Sequence, residues 1–463
     1  MPVLAATSIG NVTSQSEDGN VLIFNCDSNQ VKVELCTART VRVQLSRDGA
    51  SGYRPESDLY YMVQKNEWPA VDHTTQDKGE YISVTTSAME IRIQKSPLRI
   101  GMYDLSGNVI SKDTDDTGMY WSGNTVGVKK EESSVNAGGI FGFGSGDHGR
   151  RSELNRYNDD FDEFSMTHGR LIAPFFMSTV GYGIFLNTIE ENTKFFKRGG
   201  GFETEGYLDY FFMYGPDFKT IENEYAEITG RMEIYGKWAN GFMLSKYGND
   251  NATQDEFYEW INWFRDNDVP LDSYVFDYGW RGDVNDDALG GQLGAGQKFG
   301  MQHWSNDLSK FYDIDTMFEY AEEMGVHVGL HNNYGTYVRY DSDEEWVQSY
   351  MDVIEAGHGD WFWPDEFDVL HVNDPNYDPA EANAAPVLSA KGAYEAWIES
   401  DVVDSRPMFM TRGSYAGQHY ATAWSGDVNN TSEELTCQIG YSLDAGLVGY
   451  WTVSNDLGGF MGR

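Results

Sequence analysis

The second half of this chain alternates short apolar segments with longer amphipathic ones, and this alternation constrains the fold more than any other feature. The predicted strands cover residues 238–247, 273–277, 326–332, 360–365, 407–412, 421–427 and 446–456. The predicted helices cover residues 254–266, 314–323, 343–356, 393–400 and 432–444. Strands that alternate with helices indicate βαβ units around a parallel sheet. Seven strands fit a (β/α)8 barrel with one strand unaccounted for.

The first half of the chain follows a different pattern, in which apolar and polar residues alternate. Examples lie at residues 31–35, 41–45 and 89–93, with a shorter segment at 98–100. Many short strands separated by turn residues are typical of a β-sandwich. The predicted fold class is therefore α/β, with an N-terminal β-sandwich at residues 1–230 and an incomplete (β/α)8 TIM barrel at residues 231–463.

The charge of the chain narrows the range of partners. Among its 463 residues, 73 are acidic and 33 are basic, so the formal net charge is −40. Such a charge repels phosphates, which argues against nucleic acid and against an anionic membrane surface as partners. A neutral substrate is compatible with it. Aromatic residues make up 14% of the chain, and such residues either stack on sugar rings or fill cores.

Cysteine content and hydropathy narrow the setting of the protein. Cys26, Cys36 and Cys437 are too few for a disulfide framework and lack metal-ligand spacing. We expect no metal or organic cofactor. The chain has no apolar run of about 18 residues, the length that predicts a transmembrane helix. The N-terminus lacks a signal-peptide pattern, which leaves a cytoplasmic protein or a secreted one whose signal has been removed. The sequence leaves the oligomeric state open.

Polar residues end nearly every predicted strand of the second half: Asp277, then His331 with Asn332, Asp365, Arg412, Asp427 and Asp456. In a barrel, the carboxyl ends of the strands and the loops after them build the active site. An Asp after a strand also commonly caps the next helix or turn. Six such endings in succession, several of them carboxylates, favour catalysis over capping. A pair of carboxylates is what cleavage of a glycosidic bond requires.

Two of these endings lie in longer motifs, DWFWPDEFD at residues 360–368 and WSGD at residues 424–427. Together with the other strand ends, in this order, they resemble glycoside hydrolase family 31, the α-glucosidase and α-xylosidase family. Segments at 141–186 and 211–245 resemble the β-sandwich of that family and its join to the first barrel strand. The resemblance implies a retaining, exo-acting α-glycosidase that binds an oligosaccharide or α-glycoside substrate.

The resemblance also assigns roles to single residues. By its motifs, Asp365 is the nucleophile and Asp427 is the acid/base. Asp277 resembles the second-strand carboxylate that binds sugar hydroxyls. Arg412 resembles the Arg of the S-R-S motif after the fifth strand, and Asp456 resembles the Asp of the D-I-G-G-F motif after the seventh.

Three further residues are expected at the sugar site, each with an alternative role. His331 either contacts a sugar hydroxyl or makes a structural hydrogen bond. Trp363 and Trp424 either form hydrophobic walls of the site or fill the barrel interior.

Departures from the family pattern leave some points open. Glu366 directly follows Asp365 and is the alternative nucleophile, although consecutive side chains on a strand face opposite sides. Asp368 stands where the family usually has Glu, and His331 begins a polar segment where the family is usually apolar and aromatic. The sequence stops at Arg463, just after the seventh predicted strand, so we expect a barrel without its last strand.

Other functions fit the same residues. A transglycosylase or an α-glucan lyase of this family uses the same nucleophile and differs in the fate of the covalent intermediate. A non-catalytic carbohydrate-binding protein is the alternative from another class, and the presence of both Asp365 and Asp427 argues against it.

Overall fold

The protein is described here by a computed structural model that covers residues 7–47, 49, 52–54, 62–145, 154–162, 164, 171–246, 253–277, 280, 309–333, 343–365, 379–413 and 415–462. The described residues pack into two compact units. The first unit draws on residues 1–165, 172–231 and 436–449, and the second on residues 166–171, 232–435 and 450–463. Because residues 436–449 group with the first unit, the predicted domain limits of 1–230 and 231–463 stay a prediction.

The first unit is built mainly from strands. These are β1 (Thr7–Ser8), β2 (Ser14–Asp18), β3 (Val21–Cys26), β4 (Asn29–Leu35), β5 (Thr40–Ser46), β6 (His73–Asp77), β7 (Tyr81–Thr86), β8 (Glu90–Lys95), β9 (Leu98–Tyr103), β10 (Val109–Asp113), β11 (Met119–Ser122), β12 (Thr125–Glu132), β13 (Ile140–Ser145), β14 (Leu171–Ser178), β15 (Tyr182–Leu186), β16 (Lys194–Phe195), β17 (Gly201–Glu205) and β18 (Leu208–Tyr214). Helix α1 (Phe218–Thr229) follows them, and Asp217 caps it by accepting a hydrogen bond of 2.8 Å from the Thr220 N–H.

Two antiparallel sheets make up this unit, which confirms the predicted β-sandwich class. One follows the order β1-β11-β12-β10-β9-β8-β7-β6, with β17 paired to β12 and β16 paired to β17. The other follows the order β13-β14-β15-β18-β5-β4-β3-β2. Strands β3 and β4 alternate buried and partly exposed residues, as the period of two in the sequence predicts.

Two ion pairs are buried inside this unit. Lys130 Nζ lies 2.8 Å from Asp113 Oδ1, and neither side chain is exposed. Arg42 holds Asp209 through two hydrogen bonds of 2.8 and 2.6 Å. Removing one partner of such a pair leaves an uncompensated buried charge and typically costs about 3–5 kcal/mol of stability, so we assign both pairs a structural role.

The second unit alternates strands and helices. Its strands are β19 (Met243–Lys246), β20 (Ser273–Phe276), β21 (His327–Asn333), β22 (Trp361–Asp365), β23 (Met410–Thr411), β24 (Thr422–Trp424) and β25 (Val453–Ser454). In the described part of the chain, the α-helices after α1 are α2 (Gln254–Asp266), α3 (Ile314–Glu323), α4 (Asp343–Glu355), α5 (Pro379–Glu399) and α6 (Ser432–Leu447), of which α6 lies mostly in the range grouped with the first unit. A short 3-10 helix, Lys237–Asn240, precedes β19.

The strands of the second unit are all paired in parallel, as βαβ units require. One sheet runs β19-β20-β21-β22 and another runs β23-β24-β25, and a parallel bridge between Phe362 and Phe409 connects the two. Consecutive strands are therefore neighbours throughout, as in a (β/α)8 barrel. Within the described part of the chain, β19 pairs only with β20 and β25 only with β24.

Four predicted strands were too long. Of the predicted 421–427, only Thr422–Trp424 form strand β24. Residues 237–240 form the 3-10 helix and not the start of β19, because the backbone turns between Gly236 and Gly241 and Trp238 stacks on the ring of His327. Strand β23 occupies only two residues of the predicted 407–412. The predicted strand at 446–456 shrinks to β25, since α6 continues to Leu447 and residues 448–452 form a turn and irregular backbone.

Among the residues that the structure describes, no helix combines the length and the apolar character needed to span a membrane.

Candidate active site

Strand β22 places Asp365 at the carboxyl end of an inward-facing row of side chains. Trp361, Trp363 and Asp365 share one face of the strand because side chains alternate along it. Phe362 points the other way and lies near Tyr350 of α4 and Trp397 of α5, at ring distances of 5.3 and 6.1 Å. The apolar run therefore fills the core on both faces and delivers a carboxylate where it ends.

A glycine on the neighbouring strand makes room for this row. Gly329 of β21 pairs with Trp361, and a Cβ at position 329 would overlap the indole of Trp361. The Trp361 indole N–H donates a hydrogen bond of 2.8 Å to Ser273 Oγ on β20. Trp361 and Trp363 both belong to the hydrophobic cluster in the interior of this unit.

Asp365 is buried and held by two cationic or hydrogen-bonding partners. Arg412 Nε contacts Asp365 Oδ1, and Arg412 Nη2 lies 3.2 Å from Asp365 Oδ2. His331 Nε2 lies 3.0 Å from the same Oδ2. Burial alone would raise the pKa of Asp365, but the charge of Arg412 and the hydrogen bond of His331 outweigh it and hold this pKa well below its usual range. Asp365 is therefore a carboxylate at neutral pH.

Asp427 shares the same guanidinium. Arg412 Nη2 donates a hydrogen bond of 2.9 Å to Asp427 Oδ1. Because Asp365 Oδ2 and Asp427 Oδ1 lie 3.2 and 2.9 Å from one nitrogen, these two oxygens are at most about 6 Å apart. The side chain of Asp427 is 28% exposed, whereas that of Asp365 is 5% exposed. The two carboxyl groups thus form a close pair with unequal access to solvent.

His331 connects Asp365 to Asp277. His331 Nδ1 lies 3.6 Å from Asp277 Oδ1, and the histidine side chain is 2% exposed. The register of β20 and β21 pairs Phe276 with Leu330. Asp277 directly follows Phe276 and His331 directly follows Leu330, so the two residues lie side by side.

Two residues that were not predicted from the sequence support this pair. Ser245 Oγ on β19 donates a hydrogen bond of 2.8 Å to Asp277 Oδ2, and the Trp280 indole N–H donates one of 2.9 Å to the carbonyl oxygen of His331. Ser245 lies one residue before the end of β19. A rule that considers only the residues at strand ends therefore does not predict it. Trp280 follows Asp277 by three residues and belongs to no sequence motif that predicted a functional role.

A second group of contacts lies on the other side of Arg412. The guanidinium carbon lies 4.4 Å from the ring centre of Trp424, and the Trp424 indole N–H donates a hydrogen bond of 2.7 Å to Asp456 Oδ1. Trp363 meets Trp424 edge to face at 4.6 Å. Burial raises the pKa of Asp456 to about 7, and the negative charge of Asp427 adds to the rise, against the hydrogen bond from Trp424.

These contacts join all eight residues predicted for the site into one network. One line of contacts runs through Asp277, His331, Asp365, Arg412 and Asp427. The aromatic contacts attach Trp363, Trp424 and Asp456 to it. Their catalytic and binding roles stay predictions. Glu366, the alternative nucleophile, and Asp368 lie outside the described residues.

The two tryptophans are buried, at 6% exposure for Trp363 and 3% for Trp424, within the hydrophobic cluster. Their part in the network, a stack against Arg412 and a hydrogen bond to Asp456, is internal to the protein. A role as walls of a sugar site stays a prediction. The described residues contain no group of three or more His, Cys, Asp or Glu side chains arranged to hold a metal ion.

Known proteins resemble both units of the chain. Residues 232–463 match the family model of the glycosyl hydrolases family 31 TIM-barrel domain, and residues 30–193 match that of the glycosyl hydrolase 31 N-terminal galactose mutarotase-like domain. An alpha-glucosidase 2 of Bacillus thermoamyloliquefaciens is 23% identical over 98% of this chain and 63% of its own length. An alpha-xylosidase of Saccharolobus solfataricus is 26% identical over 82% of this chain and 56% of its own length.

A solved structure shares the fold. The family 31 dextranase of Flavobacterium johnsoniae, complexed with glucose, superposes with a TM-score of 0.80 at 21% identity, over 98% of this chain and 61% of that one. The chain thus spans about three fifths of the length of the first relatives that it matches. The matching barrel model covers half of the chain and contains the whole network of strand-end residues. The chain belongs to glycoside hydrolase family 31, and its second unit has the TIM-barrel fold of that family.

Proposed function

We propose that this protein is a retaining, exo-acting α-glycosidase that hydrolyses O-glycosidic bonds of neutral α-linked sugars through a covalent glycosyl-Asp365 intermediate. One observation carries the proposal: a single nitrogen of Arg412 contacts both Asp365 and Asp427. The resulting limit of about 6 Å between two of their oxygens favours the carboxyl separation of about 5–5.5 Å of retaining enzymes over that of about 6.5–9.5 Å of inverting ones.

The first half of the proposed reaction forms the glycosyl-enzyme. An oxygen of Asp365 attacks the anomeric carbon while the bond from that carbon to the leaving oxygen breaks. Asp427 gives its proton to the leaving oxygen, so the aglycone departs as a neutral alcohol. Asp365 suits the attack because Arg412 and His331 hold its pKa well below the usual range, and the more exposed Asp427 suits proton exchange with the leaving group and with water.

The second half releases the sugar. Water attacks the anomeric carbon, Asp427 accepts a proton from that water, and the bond to Asp365 breaks. Both carboxyl groups then return to their starting states. Two successive displacements at one carbon restore its configuration, so the first sugar released is the α-anomer. Arg412 supports both halves, since it contacts whichever of the two carboxyl groups is charged at each stage.

The substrate class rests on charge and on the relatives. A chain with a net charge of −40 favours a neutral substrate over an anionic one. The similar proteins are named alpha-glucosidase, alpha-xylosidase and dextranase. We therefore place α-glucosides and α-xylosides first among the substrates to test.

The test is a panel of p-nitrophenyl α-glycosides of glucose, xylose, galactose and N-acetylgalactosamine, with the products followed by proton NMR. The expected result is hydrolysis of the glucoside or xyloside, with the α-anomer appearing first. A β-anomer as first product would overturn the retaining mechanism, and a lack of turnover across the panel would overturn the glycosidase proposal. A larger glycoside as main product would indicate transfer, and an unsaturated anhydro-sugar would indicate a lyase; either replaces hydrolysis as the function.

A further inference from the structure

His331 lies between two carboxylates on neighbouring strands. Its Nε2 is 3.0 Å from Asp365 Oδ2, and its Nδ1 is 3.6 Å from Asp277 Oδ1. The side chain is 2% exposed, and the edge of its ring meets Trp363 at 4.9 Å. Both ring nitrogens therefore face carboxylate oxygens, and the ring is shut off from solvent.

The geometry favours one protonation state of His331, because Nε2 lies at hydrogen-bond distance from Asp365 and Nδ1 at ion-pair distance from Asp277. A neutral imidazole carries one N–H, so its second nitrogen would direct a lone pair at a carboxylate oxygen. With a proton on each nitrogen, the ring interacts favourably with both carboxylates. Arg412, on the far side of Asp365, is the opposing cation. Among the described residues, the charged groups next to His331 are Asp277, directly after β20, and Asp365, at the end of β22, with Arg412 on the far side of Asp365.

We propose that His331 is a positioning residue: an imidazolium that bridges Asp277 and Asp365 and keeps the nucleophilic carboxylate ionised and oriented. This inference rests on the proposed function, and it replaces the expectation that His331 contacts a sugar hydroxyl. With both nitrogens directed at carboxylates and the ring buried, the side chain offers the sugar no polar atom.

The bridge gives the site a row of alternating charges. Along it stand Asp277, His331, Asp365, Arg412 and Asp427, each in contact with the next. When Asp365 becomes the glycosyl ester, its charge disappears but its second oxygen still faces an N–H. The row therefore holds the ester carbonyl in place while water attacks, and the same two cations receive the carboxylate when it re-forms.

The kinetic test compares three variants with the wild-type protein. His331→Gln keeps one N–H donor but loses the charge, His331→Leu loses both, and His327→Gln is the matched control on the same strand, outside the network. We expect kcat/KM to fall about 100-fold for His331→Gln and further for His331→Leu, with KM changed less than kcat. His327→Gln should stay within about threefold of wild type, because His327 touches no member of the network.

The pH profile separates positioning from packing. Loss of the cation beside Asp365 raises the pKa of that carboxyl group, so the acidic limb of kcat/KM should move to higher pH in His331→Gln. The proposal would be overturned if the acidic limb of the kcat/KM profile stayed at the same pH in His331→Gln. Equal decreases in kcat/KM for His331→Gln and His331→Leu would also overturn it. A rise in KM at unchanged kcat would instead restore the role of His331 as a sugar ligand.

A spectroscopic test needs no substrate and so stands apart from the glycosidase proposal. The full-length protein is labelled with ¹⁵N-histidine, and the His331 ring signals are assigned by their absence in His331→Gln. We expect both ring nitrogens to be protonated at pH 7.5, about one unit above the pH at which an ordinary histidine is half-titrated. A ring nitrogen in the unprotonated range at that pH would overturn the imidazolium bridge whatever the enzymatic result.

Discussion

Strands β21 and β22 carry a His–Asp pair at each end, and the two pairs differ in every property that matters for catalysis. At the amino end, His327 Nδ1 lies 3.8 Å from Asp360 Oδ2, and the side chains are 39% and 46% exposed. At the carboxyl end, His331 Nε2 lies 3.0 Å from Asp365 Oδ2, and the side chains are 2% and 5% exposed.

Electrostatics acts in opposite directions on the two carboxyl groups. Desolvation raises the pKa of Asp360. Desolvation also lowers the pKa of His327, and this effect is larger than the opposite effect of the negative charges of Asp360 and Asp272. At the carboxyl end the pKa of Asp365 falls instead, although this group is more deeply buried, because Arg412 and His331 outweigh burial. The same two residue types therefore lower the pKa of the carboxyl group only where a second cation, here Arg412, lies beside it.

The largest expected effect comes from removing the carboxylate of Asp365. The corresponding change at Asp360, at the amino end of the strands, is its control. Asp365→Ala should lower kcat/KM at least about 10⁴-fold, because the nucleophile is lost. Asp360→Asn is the matched control and should change kcat/KM by less than about threefold. The Asn side chain keeps an oxygen that can accept the hydrogen bond that the Val328 N–H donates to Asp360. Steady-state kinetics on an activated α-glycoside measures both.

Azide tests the same assignment through stereochemistry. In Asp365→Ala, azide attacks the sugar directly and should give the β-glycosyl azide, because one displacement inverts the anomeric carbon. Full activity in Asp365→Ala, or loss of activity in Glu366→Ala alone, would transfer the nucleophile to Glu366.

The second effect concerns Asp427, which has no counterpart at the amino end of the strands. Asp427→Ala should lower kcat/KM about 10²–10⁴-fold on glycosides with poor leaving groups, which need a proton to depart. Aryl glycosides with acidic phenols should form the glycosyl-enzyme at nearly the wild-type rate. Azide should then give the α-glycosyl azide, through two displacements. Equal losses on both classes of substrate would contradict the role of Asp427 as acid.

The third effect is a pH dependence of stability from Asp456. Its pKa rises from 3.8 to about 7 on folding, so the folded protein holds a proton that the unfolded chain has released between about pH 4 and pH 7. Stability contributed by this group is present below that window and is lost as the pH rises through it. The free energy of unfolding of wild type, measured relative to that of Asp456→Asn, should therefore fall by up to about 1.4 kcal/mol for each pH unit across this window.

Urea unfolding at pH 5, 6 and 7 measures this difference, because the other titrating groups are common to the two proteins. A difference that stays constant over the window would show that Asp456 keeps an ordinary acidity. The amide of Asn also retains an oxygen for the indole N–H of Trp424, so the comparison isolates the charge.

The smallest effect is expected at the amino-end pair itself. His327→Gln should lower the free energy of unfolding by no more than about 1 kcal/mol, because the pair is half-exposed and 3.8 Å apart. The lost stack on Trp238, at 4.1 Å, contributes to that change. Thermal unfolding measures it, and a loss of several kcal/mol would mean that the two ends of the strands are more alike than their geometry indicates.

Local sequence signals predicted four of the five expected helices to within three residues, but the fifth was wrong at its start: α5 was predicted at 393–400 and runs from Pro379 to Glu399. The strands were predicted less well. The limits of α2 and α3 match the prediction because Thr253 and Asp313 cap their first turns. The predicted strand at 446–456 was wrong over most of its length. Helix α6 takes its first two residues, residues 448–452 form a turn and irregular backbone, and only Val453–Ser454 pair as a strand.

The sequence predicted which residues belong to the site, but it did not predict how their side chains contact one another. One rule, that barrel strands end at the active site, selected Asp277, Asp365 and Asp427 from separate parts of the sequence. The shared nitrogen of Arg412 and the bridging of His331 depend on side-chain positions across three strands, which no local pattern encodes. The same holds for Ser245, whose hydrogen bond to Asp277 joins residues 32 positions apart.

The glycine opposite Trp361 places a limit on how this site can evolve. Residue 329 makes no contact with the charged row, yet any side chain there would displace the indole that supports Trp363 and, through it, His331 and Trp424. Mutant libraries restricted to the residues around a bound sugar would never sample this position. A change of substrate that needs a larger residue at position 329 is therefore closed to this fold unless Trp361 is exchanged for a smaller residue at the same time.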